Sequence, residues 1–442
     1  MEPSTVKYDY VEEVERLDFY VPGGYHPTAI GDEFCNGRYS IAHKLGFGRS
    51  STVWLAEDRA QTESAQQTHE LHILSQLAKA DPSLPGKSIA QDIFDCFTFS
   101  GPNGMHRCLV TDFVRISISE AKIAAEHRLL PLPAARAIAA QLILGVRFIH
   151  SQGIVHGDLH LGNVLLSLPP DMQNMTRKEL YAKVGQPTIQ PVRRQDKAPL
   201  ENGVPSNVVV PAWLGGASDE LTLADSLIQI ADFGEAFSPQ RENHYVCHTP
   251  SISAPPEAFF MQPGISEPLS FPGDIWTLGC IIWELFGSTP PFQSLFGTMD
   301  QVLKEHVEMI GKLPDPWWSQ WEARSDLFDD DGTKNVKEHL QQYYINSSWG
   351  WDQRLEMQNN FRVREGFATL LPEEDQAFNK MLRLMLVFEP QKRATIEEVE
   401  QSEWMQKWGL PEMQKMKDAI EAKNAENLKA APSHEKEINI IA

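Results

Sequence analysis

Residues 154–163 read Ile-Val-His-Gly-Asp-Leu-His-Leu-Gly-Asn and are followed by the apolar run Val-Leu-Leu. Apolar segments on both sides predict strands that must be buried, so the polar stretch between them is expected to open on a cleft. Asp158 precedes Asn163 by five positions. Such a carboxylate can accept a proton from an attacking hydroxyl, and such an amide can ligate a divalent cation. The alternative is a solvated turn, which the apolar flanks disfavour.

A second acidic motif, Asp232-Phe233-Gly234, ends the apolar segment 228–231. This pattern predicts a strand that delivers one carboxylate to its end. Asp232 is expected to ligate magnesium that bridges the phosphates of a nucleotide. Together with Asp158 and Asn163, it predicts a site for phosphoryl transfer.

A glycine-rich stretch near the N-terminus predicts two short strands joined by a loop that covers phosphates. Glycines allow the backbone to approach a nucleotide closely. Ser51 stands where the pattern G-x-G-x-x-G-x-V would have its third glycine. Taken alone, a Gly-x-Gly before a strand is more often an ordinary hairpin. The residues expected to cover the nucleotide are Leu45, Gly46, Phe47, Gly48, Ser51 and Val53.

Three further segments lie C-terminal to these motifs. Residues 254–257 read Ala-Pro-Pro-Glu, and residues 274–285 are apolar on nearly every face, which predicts a helix buried at the centre of a helical lobe. The third segment, residues 390–395, reads Pro-Gln-Lys-Arg-Ala-Thr and contains Arg393.

These motifs together resemble the eukaryotic protein kinases, over about residues 39 to 408. The N-terminal segments resemble the SR-protein kinases, especially their divergent fungal relatives. The segments that carry this likeness are 25–27, 30–32, 36–39, 44–46 and 51–56. The resemblance implies an α+β, bilobal fold with a small β-rich lobe and a larger, mainly helical lobe. It also implies ATP and Mg2+ as cofactors, and phosphorylation of serines in Arg/Ser-rich proteins that handle messenger RNA.

The same resemblance implies that Arg393 forms a buried, bidentate ion pair with Glu257. It also assigns roles around the nucleotide. Thr111 resembles the gatekeeper, and the backbone groups of Asp112 and Val114 would read adenine. His160 replaces the usual catalytic-loop lysine and could hydrogen-bond a phosphate oxygen, although a solvated histidine is equally compatible with the sequence. The motif His-Gly-Asp-Leu-His also resembles small-molecule phosphotransferases such as the aminoglycoside kinases. Those enzymes lack the counterparts of residues 254–257 and Arg393, which favours protein as the substrate.

One departure from the family pattern concerns the third strand of the small lobe. No lysine occurs between Gly46 and Lys79, although the family has a Val-Ala-x-Lys strand there whose lysine pairs with a glutamate. The glutamate would be Glu70, on a predicted helix. Arg59 or Lys44 could supply a substitute charge, but neither is at a matching position.

The missing strand has two explanations. One is a true deletion that makes the chain a pseudokinase acting as a protein-binding module. The other is a misassigned exon boundary, which we favour because Asp158, Asn163 and Asp232 all persist. Without the strand, the small-lobe sheet is expected to expose an edge with unpaired backbone groups.

Composition sets limits on the function. The 442 residues carry a net charge of −21, which argues against direct binding of nucleic acid and favours a basic protein partner. Five cysteines without a Cys-x-x-Cys pair suit a reducing compartment. The N-terminus lacks the apolar core of a secretion signal, and no apolar run predicts a membrane span. We therefore expect an intracellular protein of the cytoplasm, the nucleus or both.

The domain organisation predicted from the sequence has four parts. Residues 1–38 form an N-terminal extension that packs along the small lobe, which comprises residues 39–114. Residues 115–408 form the large lobe. They include an insert, residues 169–225, whose Pro, Asn, Gly and Gln content predicts a flexible segment with local anchors at Tyr181 and Trp213. The C-terminal tail, residues 409–442, is expected to be an exposed helix and then disordered.

Overall fold

The computed structural model describes residues 2–48, 51–59, 69–168, 175–294, 297–344, 349–430 and 440–441. Its first elements are β1 (Glu33–Phe34), β2 (Tyr39–Phe47), β3 (Thr52–Asp58), α1 (His69–Ala78), β4 (Ile93–Gly101), β5 (Gly104–Thr111), β6 (Val114–Ser117), α2 (Ile118–Ala124), α3 (Leu132–Ser151) and β7 (Val164–Ser167). Then follow α4 (Arg177–Val184), β8 (Ile189–Pro191), β9 (Asn207–Val209), β10 (Ile228–Ile230), α5 (Phe271–Phe286), α6 (Met299–Ile310), α7 (Asp315–Gln320) and α8 (Arg324–Leu327). The last elements are α9 (Trp351–Arg364), α10 (Pro372–Met385), α11 (Ile396–Glu400), α12 (Leu410–Ala430) and β11 (Ile440–Ile441). A small strand-rich lobe therefore precedes a larger helical lobe, as predicted.

The strands of the small lobe form two separate sheets. One has the order β1-β2-β3-β11, and the other contains only β4 and β5. Side chains join the two sheets: the rings of Tyr39 and Phe97 stack with centroids 5.5 Å apart, and the Tyr39 hydroxyl donates to Asp95 at 2.7 Å. Among the described residues, no strand lies between β3 and α1, where the family has its lysine-bearing strand.

The outer edge of β3 is not fully exposed, contrary to the expectation from the sequence. Ile440 and Ile441 of β11 pair with Glu57 and Ala56 in antiparallel register. Backbone groups left by the missing strand are thus partly satisfied by the C-terminal tail. Residues 60–68 lie outside the described residues.

The core of the large lobe is built around α3 and α5. Most residues of both helices are buried, because apolar side chains cover nearly every face. Helix α3 is long and apolar enough to cross a membrane by length and composition, and 83% of its apolar window is buried inside the protein. The sheet β10-β7-β6 lies where the two lobes meet and carries the catalytic segments.

The insert differs from the flexible segment expected from its composition. Its described part, residues 175–225, contains α4 and the hairpin β8-β9, and Leu180 and Leu214 are buried. The Tyr181 hydroxyl donates to the Ala42 carbonyl of β2 at 2.7 Å, whereas the Trp213 side chain is largely exposed. Tyr181 is therefore an anchor of the insert, and Trp213 is not buried as one.

The N-terminal extension and the tail also pack against the lobes. Lys44 of β2 forms a buried ion pair with Glu15 of the extension. One face of helix α12 packs on α3, and Met416 is buried. The prediction of an exposed helix is therefore wrong for this face. The predicted boundaries at residues 39, 115 and 409 stay predictions.

Candidate active site

Asp158 lies at the centre of the site, in the loop between α3 and β7. Its Oδ1 atom is buried and has no hydrogen-bond partner within the described residues. A buried carboxylate oxygen without a partner is costly, because it has lost its hydration without replacement. This atom is therefore available to a group that enters the cleft, such as a hydroxyl.

Asn163 is tied to both catalytic segments. Its Nδ2 donates to the Asp158 carbonyl at 2.9 Å, and its own carbonyl accepts a hydrogen bond from the Ala231 amide at 2.9 Å. Ala231 immediately precedes Asp232. The structure therefore brings Asp158, Asn163 and Asp232 together, as the sequence predicted. Because the amide donates through nitrogen, its oxygen remains free to act as a ligand.

Asp232 has a backbone conformation that is unusual for a residue other than glycine. Its φ is 62°, in the left-handed region. The Gly234 amide donates to its Oδ1 at 3.3 Å, and the Asp232 side chain is exposed. The neighbouring Phe233 is fully buried and packs on the ring of His156 with centroids 4.9 Å apart. Burial of Phe233 thus leaves the Asp232 carboxylate in the cleft.

Asp274 holds the catalytic loop in place through hydrogen bonds, a role that was not predicted from the sequence. Its carboxylate accepts hydrogen bonds from the amides of His156 and Gly157 at 2.8 and 3.1 Å, and lies 2.9 Å from Nε2 of His150. Although burial would raise the pKa of Asp274, these histidines lower it overall. An acidic residue in an otherwise apolar helix was the signal, because a buried charge needs partners.

His156 completes this support. Its Nε2 lies 3.1 Å from the Ala231 carbonyl, and its Nδ1 accepts from the Asp158 amide at 3.3 Å. Burial lowers the pKa of His156, so the ring is neutral and can accept that hydrogen bond. The loop and the strand before Asp232 are thereby linked through one buried ring.

His160 lies beside the catalytic aspartate. Its Nε2 is 3.7 Å from Oδ2 of Asp158, and its Nδ1 accepts from the Gly162 amide at 3.0 Å. The ring is about one-third exposed. The position is compatible with contact to a phosphate group, a role that stays a prediction.

The predicted adenine-reading segment connects β5 to β6. Thr111 ends β5, Val114 begins β6, and Asp112 lies between them. Burial raises the pKa of Asp112, against the effect of a 2.9 Å hydrogen bond from Gln229. Because the Asp112 side chain is held by Gln229 of β10, this segment is fixed to the strand that leads to Asp232.

The glycine-rich stretch forms the predicted hairpin between β2 and β3. Gly46 pairs with Val53, and Phe47 pairs with Thr52. The side chains of Phe47 and Val53 are each 44% exposed, and Ser51 is exposed too. The Gly48 amide donates to the Ser51 carbonyl at 2.8 Å. Residues 49 and 50 lie outside the described residues.

Leu45 differs from the other residues of this hairpin because the insert touches it. It packs against a cluster formed by Ala42, Leu55, Leu168, Leu180 and Leu214. Leu180 and Leu214 belong to the insert, so the insert lies along the side of the small lobe next to the predicted nucleotide site.

Glu70 and the two candidate substitute cations do not form the charge pair of the family. Glu70 lies half-buried in the first turn of α1. Lys44 is fully buried against Glu15, and the guanidinium of Arg59 is 2.5 Å from Glu33. Neither Lys44 nor Arg59 is therefore directed to phosphates.

The predicted pair between Arg393 and Glu257 is confirmed. Two hydrogen bonds of 2.8 and 2.6 Å join the guanidinium to the carboxylate, and Arg393 is almost completely buried. Its remaining donors bind the carbonyls of Val387, Pro272 and Phe388. Because its donors all have partners, this ion pair fixes residues 254–257 to the large lobe.

Comparison with known proteins agrees with this geometry. The protein kinase domain family matches residues 218–405. Protein kinase dsk1 of Schizosaccharomyces pombe is 25% identical, with 90% of this chain and 86% of the relative covered. The serine/threonine-protein kinase SRPK of Physarum polycephalum is also 25% identical, with 87% and 89% covered. Human SRSF protein kinase 3 is 34% identical over a shorter stretch, 35% of this chain and 30% of the relative.

These similarities support an SRPK-like eukaryotic protein kinase, specifically a protein serine/threonine kinase. The predicted fold class is confirmed. Kinases of this family use ATP and Mg2+. In this chain, Asp158 and Asn163 lie in one loop that is hydrogen-bonded to the residue before Asp232, and carboxylate and amide oxygens of this kind suit Mg2+. The residues that would contact the phosphates of ATP fit less well, because the lysine that the family uses there is absent from the sequence.

Proposed function

We propose that this chain transfers the γ-phosphate of ATP to serine or threonine hydroxyls of basic, Arg/Ser-rich proteins inside the cell. The observation that carries this proposal is the buried, unpartnered Oδ1 of Asp158 beside Asn163 and Asp232. A buried carboxylate oxygen without a partner has few roles in a purely structural domain, and Asp158 lies beside an amide and a second, exposed carboxylate.

Each residue has a separate task in this proposal. Asp158 orients the substrate hydroxyl and accepts its proton, while His160 contacts a phosphate oxygen. Asn163 and Asp232 are the metal ligands. Mg2+, when bound, would neutralise charge on the phosphates. Thr111, Asp112 and Val114 would form the adenine side of the site, and Gly46 and Gly48 its cover.

The choice of substrate rests on the family and on charge. The net charge of −21 favours a polycation over a nucleic acid. One of the relatives is a human SRSF protein kinase, so Arg/Ser-rich proteins that process messenger RNA are the substrates we infer.

A second function, that of a silent binding module, is favoured by one observation: Lys44 and Arg59 are both engaged by carboxylates away from the cleft. Incorporation of phosphate from ATP into an Arg/Ser peptide separates the two functions. We expect Asp158→Asn to abolish it and Asp81→Asn, at an exposed turn, to leave it unchanged. A chain without incorporation and without Mg·ATP binding would support the module.

The native transcript offers a cheaper test of the same choice. We expect an additional in-frame segment after Asp58 that encodes Val-Ala-x-Lys. A transcript that joins Asp58 directly to the codons for residues 59–70, as in the present sequence, would contradict this expectation and favour the true deletion.

A further inference from the structure

The N-terminal extension reaches the loop that covers the nucleotide. The Tyr25 hydroxyl donates to the Gly48 carbonyl at 2.8 Å, and the Gly48 amide donates to the Ser51 carbonyl at 2.8 Å. Both backbone groups of Gly48 are therefore bonded, one within the hairpin and one to the extension. A glycine has the most conformational freedom to lose, so two hydrogen bonds restrict the backbone at Gly48 considerably.

Tyr25 is itself held rigidly. Its side chain is 5% exposed and lies in a cluster that includes Leu17 and Tyr20 of the extension and Val204 and Val208 of the insert. The rings of Tyr20 and Tyr25 have centroids 5.5 Å apart. The insert thus supplies part of the pocket that aims the hydroxyl at Gly48.

Asn103 joins the insert to the extension directly. Its side chain is buried, and Nδ2 donates to the carbonyls of Tyr25 and Gly203 at 2.7 and 2.8 Å. Its own carbonyl accepts from the Gly23 amide at 2.7 Å. Gly203 has φ +95°, and a Cβ at this residue would lie 2.1 Å from Oδ1 of Asn103. The contact therefore requires glycine in the insert.

We propose that Tyr25 is a positioning residue for the phosphate-covering loop, and that the insert controls it through Asn103. A loop held in its covering geometry loses less conformational entropy when nucleotide binds. The connection runs from Gly203 through Asn103 and Tyr25 to Gly48. Its relevance to catalysis rests on the proposed kinase function, whereas the anchoring of the loop does not.

Tyr25→Phe tests the anchoring, with Tyr20→Phe as the matched control. Both changes keep a ring in the same cluster, but the Tyr20 hydroxyl donates to Glu15 instead of the loop. In the nucleotide-free protein, we expect amide exchange of residues 46–53 to become about fivefold faster in Tyr25→Phe, from one hydrogen bond of about 1 kcal/mol. Equal exchange in the two variants would overturn the proposal.

Gly203→Ala tests the contribution of the insert, with Gly185→Ala as its control. Both glycines have positive φ, +95° and +88°, but a Cβ at Gly185 meets nothing within 4 Å. Both substitutions place an alanine at positive φ, and only Gly203→Ala brings a Cβ into contact with Asn103. Faster exchange of residues 46–53 in Gly203→Ala alone is expected, whereas the same exchange in both variants refutes control by the insert.

A catalytic measurement separates the anchoring from the proposed function. We expect Tyr25→Phe to raise KM for ATP several-fold and to leave KM for the Arg/Ser peptide unchanged, because only the nucleotide meets the loop. If the wild-type chain transfers no phosphate, the kinase proposal fails, and the exchange experiment still decides whether Tyr25 holds the loop. Unchanged KM for ATP together with faster exchange would refute the positioning role.

Discussion

Breaking the buried ion pair between Lys44 and Glu15 should loosen the N-terminal extension from the small lobe. Lys44 is 0% and Glu15 is 2% exposed, and the Tyr20 hydroxyl donates to the same carboxylate. Burial lowers the pKa of Lys44, an effect that Glu15 opposes. Removal of either charge would leave the other one buried without a counterion.

The size of the effect follows from this burial. Loss of one partner of a buried pair costs about 3–5 kcal/mol, which is a large part of a typical domain's stability of about 5–15 kcal/mol. We expect Glu15→Gln and Lys44→Met each to lower stability by about 3–5 kcal/mol. The double variant should recover most of the loss, because no isolated charge remains and the Lys44 stem is replaced by a similar apolar chain.

The assay is native-state hydrogen exchange of β2, which reports the free energy of local opening. Asp18→Asn is the matched control, since Arg16 and Asp18, two residues apart in the same extension, form a 2.6 Å ion pair whose arginine side chain is 66% exposed. An exposed pair contributes about 0–1 kcal/mol. The reasoning would be refuted if Glu15→Gln changed the opening energy no more than Asp18→Asn, or if the double variant lost the sum of the two single losses.

Two further predictions concern other parts of the chain. His306 is fully buried among aromatic rings without a hydrogen-bond partner for either ring nitrogen among the described residues, and burial lowers its pKa to about 3. Protonation therefore favours the unfolded chain, so the free energy of unfolding should fall by about 1 kcal/mol between pH 6.5 and 5.5. Urea unfolding of His306→Phe should depend less on pH over this range. An identical pH dependence in the two proteins would contradict a neutral, buried His306. Deletion of residues 440–442 should speed amide exchange at Ala56 and Glu57, which pair with β11, and unchanged exchange there would show that the pairing does not protect β3.

The catalytic centre could be predicted from the sequence because its chemistry lies in short, contiguous segments. Asp158 and Asn163 are five residues apart, and their loop is flanked by apolar strands whose burial leaves few alternatives. Asp232 likewise lies in a short, contiguous motif, at the end of β10. Spacing placed Asp158 and Asn163 in one loop, whereas the resemblance to protein kinases implied that Asp232 joins them; hydrogen bonds through Ala231 provide the link.

The insert could not be predicted in the same way, because its order depends on partners far away in the chain. Leu180 and Leu214 pack with Ala42 and Leu55 of the small lobe, and nothing local in a Pro- and Gly-rich stretch identifies these contacts. Such composition argues against regular elements, but it does not exclude a fixed irregular structure. The hydrogen bond from Tyr25 to Gly48 escaped prediction for the same reason.

These long-range contacts give a physical reason why a small lobe without its third strand can still hold a loop over a nucleotide. The missing strand would have joined β3 to the other sheet through backbone hydrogen bonds. In its absence, the Tyr39–Asp95 hydrogen bond connects the two sheets, and the Tyr25–Gly48 hydrogen bond holds the hairpin to the N-terminal extension. What these contacts do not replace is the lysine charge at the phosphates. The two consequences of the missing strand are therefore separable in this chain. The loop geometry can persist while the affinity for nucleotide falls.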